Sequence, residues 1–388
     1  MHRSSRVPAD LAPNRLAAAR ARLGTPAFDL TLSNPTLCGL SYPPELLHAL
    51  ADPRGLVYAP DPRGPIAARR AVAASYGRWH AEPDPEAIVL TSSTSEAYGF
   101  LFRLLADPGD AILAPVPSYP LIEHLARLDG VVVVETALDP DDGWRLDREA
   151  VEAAPRRTRA IAVVHPNNPT GSHVDRDDAA WLVETCVERG WALIADEVFL
   201  AYALDRRDAV SFARETGCLT FVLGGLSKLA GLPQLKLSWI VVSGPAAEVA
   251  MALEGLDYVA DSYLSVSLPV ALAAAAVLAA AAPVERAITE RCRGNLAALR
   301  NLAGGLPAVT VPSVGGGWSA VLRMPATIDE EELAVDLLER RGVAVHPGYF
   351  FDFPGPGWLV ISLLPEPHVF ATGVSALLEE IDRRVRTL

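Results

Sequence analysis

The sequence is poor in cysteine and in positive charge, and each shortage excludes a class of protein. The four cysteines are scattered and show no CxxC spacing, which is typical of free thiols in a reducing cytoplasm and unlike a disulfide or zinc framework. Lysine and arginine number 34 against 47 acidic residues, which gives a net charge of −13. This balance disfavours nucleic acid and anionic membranes as partners. We therefore predict a cytoplasmic protein with no metal site and no nucleic-acid partner.

Long, uninterrupted apolar runs are also missing. The most apolar stretch, residues 264–284, is cut by Pro269 and Pro283 and is dominated by alanine, whereas a membrane-spanning helix needs about 20 strongly apolar residues. The charged first six residues are not followed by an apolar segment, so no signal peptide is expected. The sequence predicts a buried helix between the two prolines and no membrane association.

What the chain does contain is a regular alternation of short apolar runs and helical stretches. Its 388 residues are 50% hydrophobic, which suffices for a large core. We expect an α/β fold with a three-layer αβα large domain over residues 45–280 and a smaller α+β domain from residues 1–44 and 281–388. Strands of a mostly parallel seven-stranded sheet are predicted at residues 88–91, 111–114, 131–134, 160–164, 192–195, 219–223 and 238–242.

Polar residues follow the carboxyl ends of most of these strands, which is where open parallel sheets bind ligands. The run Ser93-Thr94-Ser95 opens a predicted helix, and Ser93 with Glu96 has the spacing of a capping box. Hydroxyls and free amides at the start of a helix suit a phosphate group. In chain order, the other residues at successive strand ends are Tyr119, Asn168, Asp196, Ser227 and Lys228.

Lys228 is the residue around which this pattern is organised. It follows a buried strand and the pair Gly224-Gly225, and its neighbours are small or apolar. Desolvation lowers the pKa of a lysine and enlarges the fraction of neutral amine, which Schiff-base chemistry requires. Taken alone, however, the stretch is better explained by a surface lysine in a strand-to-helix loop.

The combination, rather than any single residue, points to pyridoxal 5′-phosphate. Turn chemistry, a solvated strand end or core packing would account for Asn168, Asp196 or Tyr119 taken singly. Together, the amine binds the aldehyde, the carboxylate keeps the pyridine nitrogen protonated, the amide donates to the ring oxygen, and the aromatic side chain stacks on the ring. We therefore predict a site for this cofactor at the edge of the sheet.

These residues resemble the class I/II aminotransferases, pyridoxal-phosphate enzymes of fold type I. The resemblance runs from Asn34-Pro35 to the terminal helix, and the segments that carry it are residues 91–97, 117–120, 166–171, 196–198, 227–228 and 231–233. It implies that Lys228 forms the imine with the cofactor and later moves a proton, and that Asp196 pairs with the pyridinium nitrogen. Asn168 would donate to the ring oxygen and Tyr119 would stack on the ring.

The resemblance also implies how the phosphate is bound and how subunits pair. Tyr58 matches a tyrosine that reaches the phosphate of the neighbouring subunit, which implies a homodimer with a shared active site. Lys236 stands where the family usually has an arginine, and it supplies the charge without the bidentate fork. The remaining phosphate ligands would be Ser93, Thr94, Ser95 and Ser227.

Two further positions depart from the family pattern. Phe199 stands where a tyrosine usually bonds the ring oxygen, and Tyr202 is a candidate substitute. Val360 stands where the family has an arginine that binds the substrate α-carboxylate, and residues 342–382 contain no arginine. Either another cation takes the carboxylate or the substrate is anchored differently. Candidate cations are Arg63, Arg323 and His346, and candidate lining residues are Trp318, Val321 and Tyr349, although core packing explains the latter equally well.

The expected function is transfer of an amino group from a small amino acid or amine to a 2-oxo acid. The alternative is a pyridoxal-phosphate-dependent lyase, cyclase or other specialised-pathway enzyme on the same fold, which the valine at 360 would fit. A requirement for a 2-oxo acid distinguishes the two. A regulator that keeps this fold as a sensor domain is disfavoured, because the stretch before Pro13 is too short for a DNA-binding module.

Overall fold

The computed structural model describes residues 3–205 and 210–387. Its helices are α1 (Arg15–Leu23), α2 (Glu45–His48), α3 (Ile66–Ser75), α4 (Thr94–Leu105), α5 (Leu121–Asp129), α6 (Arg148–Glu152), α7 (Arg176–Arg189), α8 (Leu226–Leu229), α9 (Ala246–Asp261), α10 (Leu268–Ala280), α11 (Ala282–Ala303), α12 (Glu330–Arg341) and α13 (Pro367–Val385). Its strands are β1 (Phe28–Asp29), β2 (Ile88–Thr91), β3 (Ala111–Val116), β4 (Val132–Asp139), β5 (Arg145–Leu146), β6 (Thr158–Val164), β7 (Ala192–Asp196), β8 (Thr220–Gly225), β9 (Ser238–Ser243), β10 (Ser319–Arg323), β11 (Val343–Ala344), β12 (His346–Pro347) and β13 (Trp358–Ser362).

Among the described residues, the larger sheet has eight strands in the order β2-β9-β8-β7-β6-β3-β4-β5. The pairs from β8 through β4 are parallel. Strand β9 runs antiparallel to both β8 and β2. As a result, the carboxyl ends of β2, β8, β7, β6 and β3 lie at the same edge, which is the edge where such sheets bind ligands.

All seven predicted strands are present in this sheet, and the α/β fold is confirmed. The eighth strand, β5, was not predicted, and it pairs antiparallel with β4. Two residues, one arginine and one leucine, are too few to show the period-2 pattern from which strands are recognised. The sheet is therefore parallel in its centre and mixed at both ends.

A smaller group of elements is built around a three-stranded antiparallel sheet with the order β10-β13-β12. Its core combines side chains from β10, β13 and the helices α11, α12 and α13, for example Leu299, Leu337, Ile361 and Phe370. Strand β1 pairs in parallel with β11, so the N-terminal segment joins this group. The predicted domain boundaries at residues 45 and 280 stay a prediction.

The alanine-rich segment forms α10, and Ala271, Ala274 and Val277 on it are buried. Within residues 3–205 and 210–387, no single helix is long and apolar enough to cross a bilayer. Only α10 and α11 taken together reach that length and composition, and the chain bends by 57° between them. All four cysteines are buried free thiols. In the same described ranges, no cluster of three metal-ligating side chains occurs.

Candidate active site

The candidate site lies where polar loops meet at the carboxyl edge of the larger sheet. Lys228 follows β8, Asp196 ends β7, Asn168 follows β6 and Tyr119 follows β3, and these four strands are consecutive neighbours. The sheet order therefore places an amine, a carboxylate, an amide and an aromatic ring side by side. The amino-terminal end of α4 approaches the same edge, because α4 follows β2 directly.

The lysine is presented by a strand-to-helix junction that admits only small residues. Strand β8 ends in Gly224 and Gly225, where an added Cβ would collide with the Trp239 ring and with Ser238 of the adjacent strand β9. Without side chains at these two positions, β8 can continue beside β9 up to the first turn of α8. That turn carries Lys228.

Lys228 lies over two aromatic rings and is influenced by the charge of a carboxylate. Its Nζ lies 5.0 Å from the ring centroid of Trp318 and 5.5 Å from that of Phe199. Burial lowers the pKa of Lys228, and the negative charge of Asp196 opposes that shift. Desolvation is the larger effect, so the neutral amine is favoured relative to an exposed lysine.

Asp196 is held by two hydrogen bonds. Its Oδ1 accepts from the backbone N–H of Val198 at 3.2 Å, and its Oδ2 accepts from the hydroxyl of Tyr98 at 3.1 Å. Burial raises the pKa of Asp196 to about 6, against the lowering effect of these two donors and of Lys228. The carboxylate is thus fixed in orientation, and a cation placed against it would be strongly bound.

The start of α4 offers an anion site. Ser93 Oγ accepts from the N–H of Glu96 at 3.1 Å, and Glu96 Oε2 accepts from the N–H of Ser92 at 2.7 Å. Ser93 therefore caps the helix as predicted, whereas the Glu96 carboxylate accepts from the N–H of Ser92 and not from that of Ser93. The N–H groups of Thr94 and Ser95 have no carbonyl partner within the helix, and the helix dipole adds partial positive charge there. These are the features that bind phosphate at helix starts.

Asn168 is held between the two sheets. Its Oδ1 accepts from Ser319 Oγ of β10 at 3.4 Å, which leaves its Nδ2 as a donor for a ring oxygen. The preceding Asn167 is 3% exposed, and its Nδ2 donates to the carbonyl of Pro117 at 3.0 Å and to Thr170 Oγ1 at 2.8 Å. Asn167 therefore ties the loop after β6 to the loop after β3.

Tyr119, on the loop after β3, exposes its ring. The side chain is 53% exposed, and its ring centroid lies 6.5 Å from that of Phe351. The backbone of the same loop is anchored, because the N–H of Ser118 donates to the carbonyl of Phe351 at 3.0 Å. A planar ring can therefore stack on Tyr119 without displacing a core contact.

Tyr58 and Lys236 are exposed side chains outside the hydrogen-bonded group around Asp196. Lys236 occupies a left-handed turn, with φ of 54°, just before β9. Tyr58 is 82% exposed and lines a cavity of about 270 Å³ together with Phe100 and Leu264. Their assignment to the phosphate stays a prediction.

The three candidate cations for a substrate carboxylate are engaged or neutral. The Nε and Nη2 of Arg63 donate to the two carboxylate oxygens of Asp257, each at 2.5 Å. Arg323 pairs with Asp141 at 3.0 Å. Burial lowers the pKa of His346 to about 4, which makes the imidazole neutral at neutral pH.

Tyr202, the candidate substitute for the tyrosine absent at Phe199, has its hydroxyl occupied. It donates to the backbone carbonyl of Lys228 at 2.6 Å. Its ring packs edge-on against Trp318, as does that of Phe199, at 5.0 and 5.3 Å between centroids. Tyr202 thus braces the backbone of the lysine segment, and Phe199 contributes only an apolar face.

Sequence reasoning assigned no role to three residues of the site: Tyr98, Ser319 and Asn167, the last of which lies within the segment 166–171. A helical period could have found Tyr98, because residue 98 lies one turn after Thr94 on the same face of α4. Ser319 belongs to a different sheet, and its contact with Asn168 depends on how the two sheets meet. No pattern in the local sequence predicts that contact.

Comparison with known proteins identifies the class to which this fold and site belong. The family model described as aminotransferase class I and II matches residues 31–369, so the chain belongs to this family. Members use pyridoxal phosphate, and the chain is accordingly an aminotransferase with this cofactor. The donor set fits it, because a phosphate cradle, a fixed carboxylate and a desolvated lysine meet at one edge.

Several known proteins are similar over most of the chain. Alanine aminotransferase of Mycobacterium tuberculosis is 28% identical over 365 residues, which is 90% of this chain and 84% of that protein. Glutamate-pyruvate aminotransferase AlaA of Escherichia coli K12 is 26% identical over 355 residues, with coverage of 88% and 87%. A crystal structure of an Escherichia coli aminotransferase has a TM-score of 0.88 at 24% identity over 98% of both chains. The structural similarity confirms the fold.

Proposed function

We propose that this aminotransferase moves an amino group from a small amino acid or amine to a 2-oxo acid at the site around Lys228. The observation that carries the proposal is the convergence of Lys228, Asp196, Asn168 and Tyr119 on neighbouring strand ends. The similarity to proteins named alanine and glutamate-pyruvate aminotransferase supports a small donor. The cytoplasmic location expected from the scattered thiols belongs to the same proposal.

Each residue has a task in this proposal. Pyridoxal phosphate supplies an electrophilic carbonyl and an electron-accepting ring. Lys228 is the amine that binds the carbonyl and, once displaced by substrate, the base that moves a proton at the reacting carbon. Asp196 holds a proton on the ring nitrogen, and Asn168 donates to the ring oxygen. The phosphate is bound by Ser93, Thr94, Ser95, Ser227 and Lys236.

The small number of lysines makes this assignment easy to test. The sequence contains only Lys228 and Lys236, so borohydride reduction of the cofactor-loaded protein can label just two side chains. After digestion, mass spectrometry should find the pyridoxyl group on the peptide with Lys228. Lys228→Ala should lose the label, whereas Lys236→Ala should keep it with weaker cofactor binding. A label on Lys236 in the intact protein would refute the assignment.

We further propose a homodimer in which Tyr58 reaches the phosphate of the partner. Three consecutive apolar residues, Leu56, Val57 and Tyr58, are 90%, 64% and 82% exposed. A contiguous exposed apolar patch of this kind is typical of a protein–protein interface. Analytical ultracentrifugation should give a mass equal to that of two chains. A hybrid of Lys228→Ala and Tyr58→Phe subunits should bind cofactor at one site with unimpaired affinity, because that site combines the intact residues of both chains. Impaired affinity at that site would place Tyr58 within its own subunit's site.

A lyase or cyclase reaction is the second candidate, favoured by the valine at position 360. It predicts product release without consumption of a 2-oxo acid. Loaded protein is mixed with single amino acids and amines while the cofactor spectrum is followed. Conversion to the pyridoxamine form, reversed by a 2-oxo acid, would establish transamination.

A further inference from the structure

One side of the three-stranded sheet faces the candidate active site. On β13, Val360 pairs with Val321 of β10 and with His346 of β12, so the three side chains share a face. Ser319, two residues before Val321 on β10, lies on that same face. Its Oγ contacts Asn168 Oδ1 at 3.4 Å. The face that carries Val360 is therefore continuous with the ring-binding side of the site.

Apolar side chains surround Val360. Trp144 lies 5.4 Å from Trp358 and 5.9 Å from Phe353 between ring centroids, and Phe353 stacks on Trp358 at 5.0 Å. The buried members, all at most 8% exposed, are Leu138, Trp144, Val321, Phe351, Phe353, Trp358 and Val360. Leu138 and Trp144 come from the larger sheet and its loops, so the cluster closes the gap between the two sheets beside the site.

The apolar cluster around Val360, called the wall below, presents no unpaired positive charge to a substrate among residues 3–205 and 210–387. His346 is neutral because burial lowers its pKa to about 4. Arg323 lies over Trp358, 5.3 Å from the ring, but its guanidinium pairs with Asp141. A carboxylate pressed against the wall would exchange its water for aromatic carbon with no cation to offset the loss. An apolar substituent would gain from the same contact.

We propose that the specific donor is a primary amine without a carboxylate on its nitrogen-bearing carbon, and that an apolar substituent packs against the wall around Val360. This inference rests on the proposed transamination at Lys228.

The amine leaves as an aldehyde or ketone whose oxygen comes from water. Its nitrogen passes to an oxo acid, whose oxo oxygen leaves as water, so no oxidant is needed. The acceptor's carboxylate gains nothing from the wall, and a millimolar KM for the oxo acid is expected.

Matched donors test the proposal in the holoenzyme. Each amino acid is compared with its decarboxylated counterpart: L-alanine with ethylamine, L-leucine with 3-methylbutylamine, and L-phenylalanine with 2-phenylethylamine. The single-turnover rate per unit donor concentration is read from the cofactor spectrum. The amine should react at least tenfold faster in the leucine and phenylalanine pairs. An amino acid that reacts as fast as its counterpart in those pairs overturns the proposal.

Two variants at position 360 test whether the donor contacts this residue. Val360→Arg should raise the ratio of amino acid to amine rates at least tenfold, whereas Val360→Met, a neutral side chain of larger size, should keep the preference for amines. If Val360→Arg does not fold, as judged by thermal unfolding, the donor comparison in the intact enzyme decides. Reaction with amino acids alone overturns the amine inference and leaves the proposed function standing. No reaction with any donor, in protein that still labels at Lys228, overturns both.

Discussion

Replacing Tyr98 by phenylalanine removes one of the two hydrogen bonds that hold Asp196. The Tyr98 hydroxyl donates to Asp196 Oδ2 at 3.1 Å, and the side chain is 2% exposed. Hydrogen bonds to charged groups contribute about 1.5–3 kcal/mol, and one pKa unit corresponds to about 1.4 kcal/mol. The pKa of Asp196, about 6 in the intact protein, should therefore rise by about one to two units, to or above neutrality.

The cofactor-free protein gives the most direct measurement, because the ionisable groups of the cofactor itself are then absent from the profile. The folded pKa of about 6 lies above the ordinary value of 3.8, so the folded state binds the extra proton between these values. Its contribution to the free energy of unfolding, about 3 kcal/mol, is complete below about pH 4 and is lost as the pH rises through 6. In Tyr98→Phe the loss should extend to about pH 7–8.

Urea unfolding between pH 4 and 9 measures this profile. The side chain in Asp196→Asn cannot titrate, so this variant lacks the contribution of residue 196 to the pH profile and serves as the control. In the double variant, Tyr98→Phe should no longer change the pH dependence. A profile of Tyr98→Phe that coincides with that of the intact protein would show that the hydroxyl does not act on Asp196. In the cofactor-loaded enzyme, kcat should fall by about tenfold with little change in KM. The reason is that a rise of one unit in the pKa of Asp196 reduces the preference for its ionised form by a factor of ten.

Three further substitutions test the frame of the site. Ser93→Ala removes the cap of α4 and should cost about 1 kcal/mol in the free energy of unfolding, together with a measurable loss of cofactor affinity by spectral titration. Asn167→Ala leaves the carbonyl of Pro117 unpaired in the interior and should cost about 1–3 kcal/mol by urea unfolding. Gly225→Ala should abolish ordered cofactor binding, seen as loss of induced circular dichroism, because a Cβ there collides with Ser238.

The residues at strand ends could be predicted because their position depends on local features alone. An apolar run followed by a break places Lys228 after β8 and Asp196 at the end of β7, and the parallel order of the sheet brings the two ends together. The same reasoning predicted the helix start at Ser93. Each of these inferences needs only the type of element, which periodicity indicates, and the parallel direction of the strands, which the alternation of strands and helices indicates.

Contacts between distant elements could not be predicted in this way. The partner of Asn168 is Ser319, which is 151 residues later in the chain, and no local pattern connects them. Tyr202 shows a second limit of the sequence. It is a candidate substitute for a ring-oxygen donor by spacing alone, and the structure places its hydroxyl on the backbone carbonyl of Lys228. Spacing places a side chain near a site, whereas the packing of the whole core decides which atom it meets.

The opposed pKa shifts of Lys228 and Asp196 explain why the site suits a ring with a basic nitrogen. Burial disfavours charge on both groups, and each is partly relieved by the other. With pyridoxal phosphate bound through Lys228, the relief that Lys228 gives would be reduced, and Asp196 would be driven toward protonation. A proton on the ring nitrogen would supply an opposite charge for Asp196, which would keep the carboxylate ionised and the ring an electron acceptor. Tyr98 acts in the same direction at every stage, because its hydroxyl stabilises the ionised form whichever cation is present.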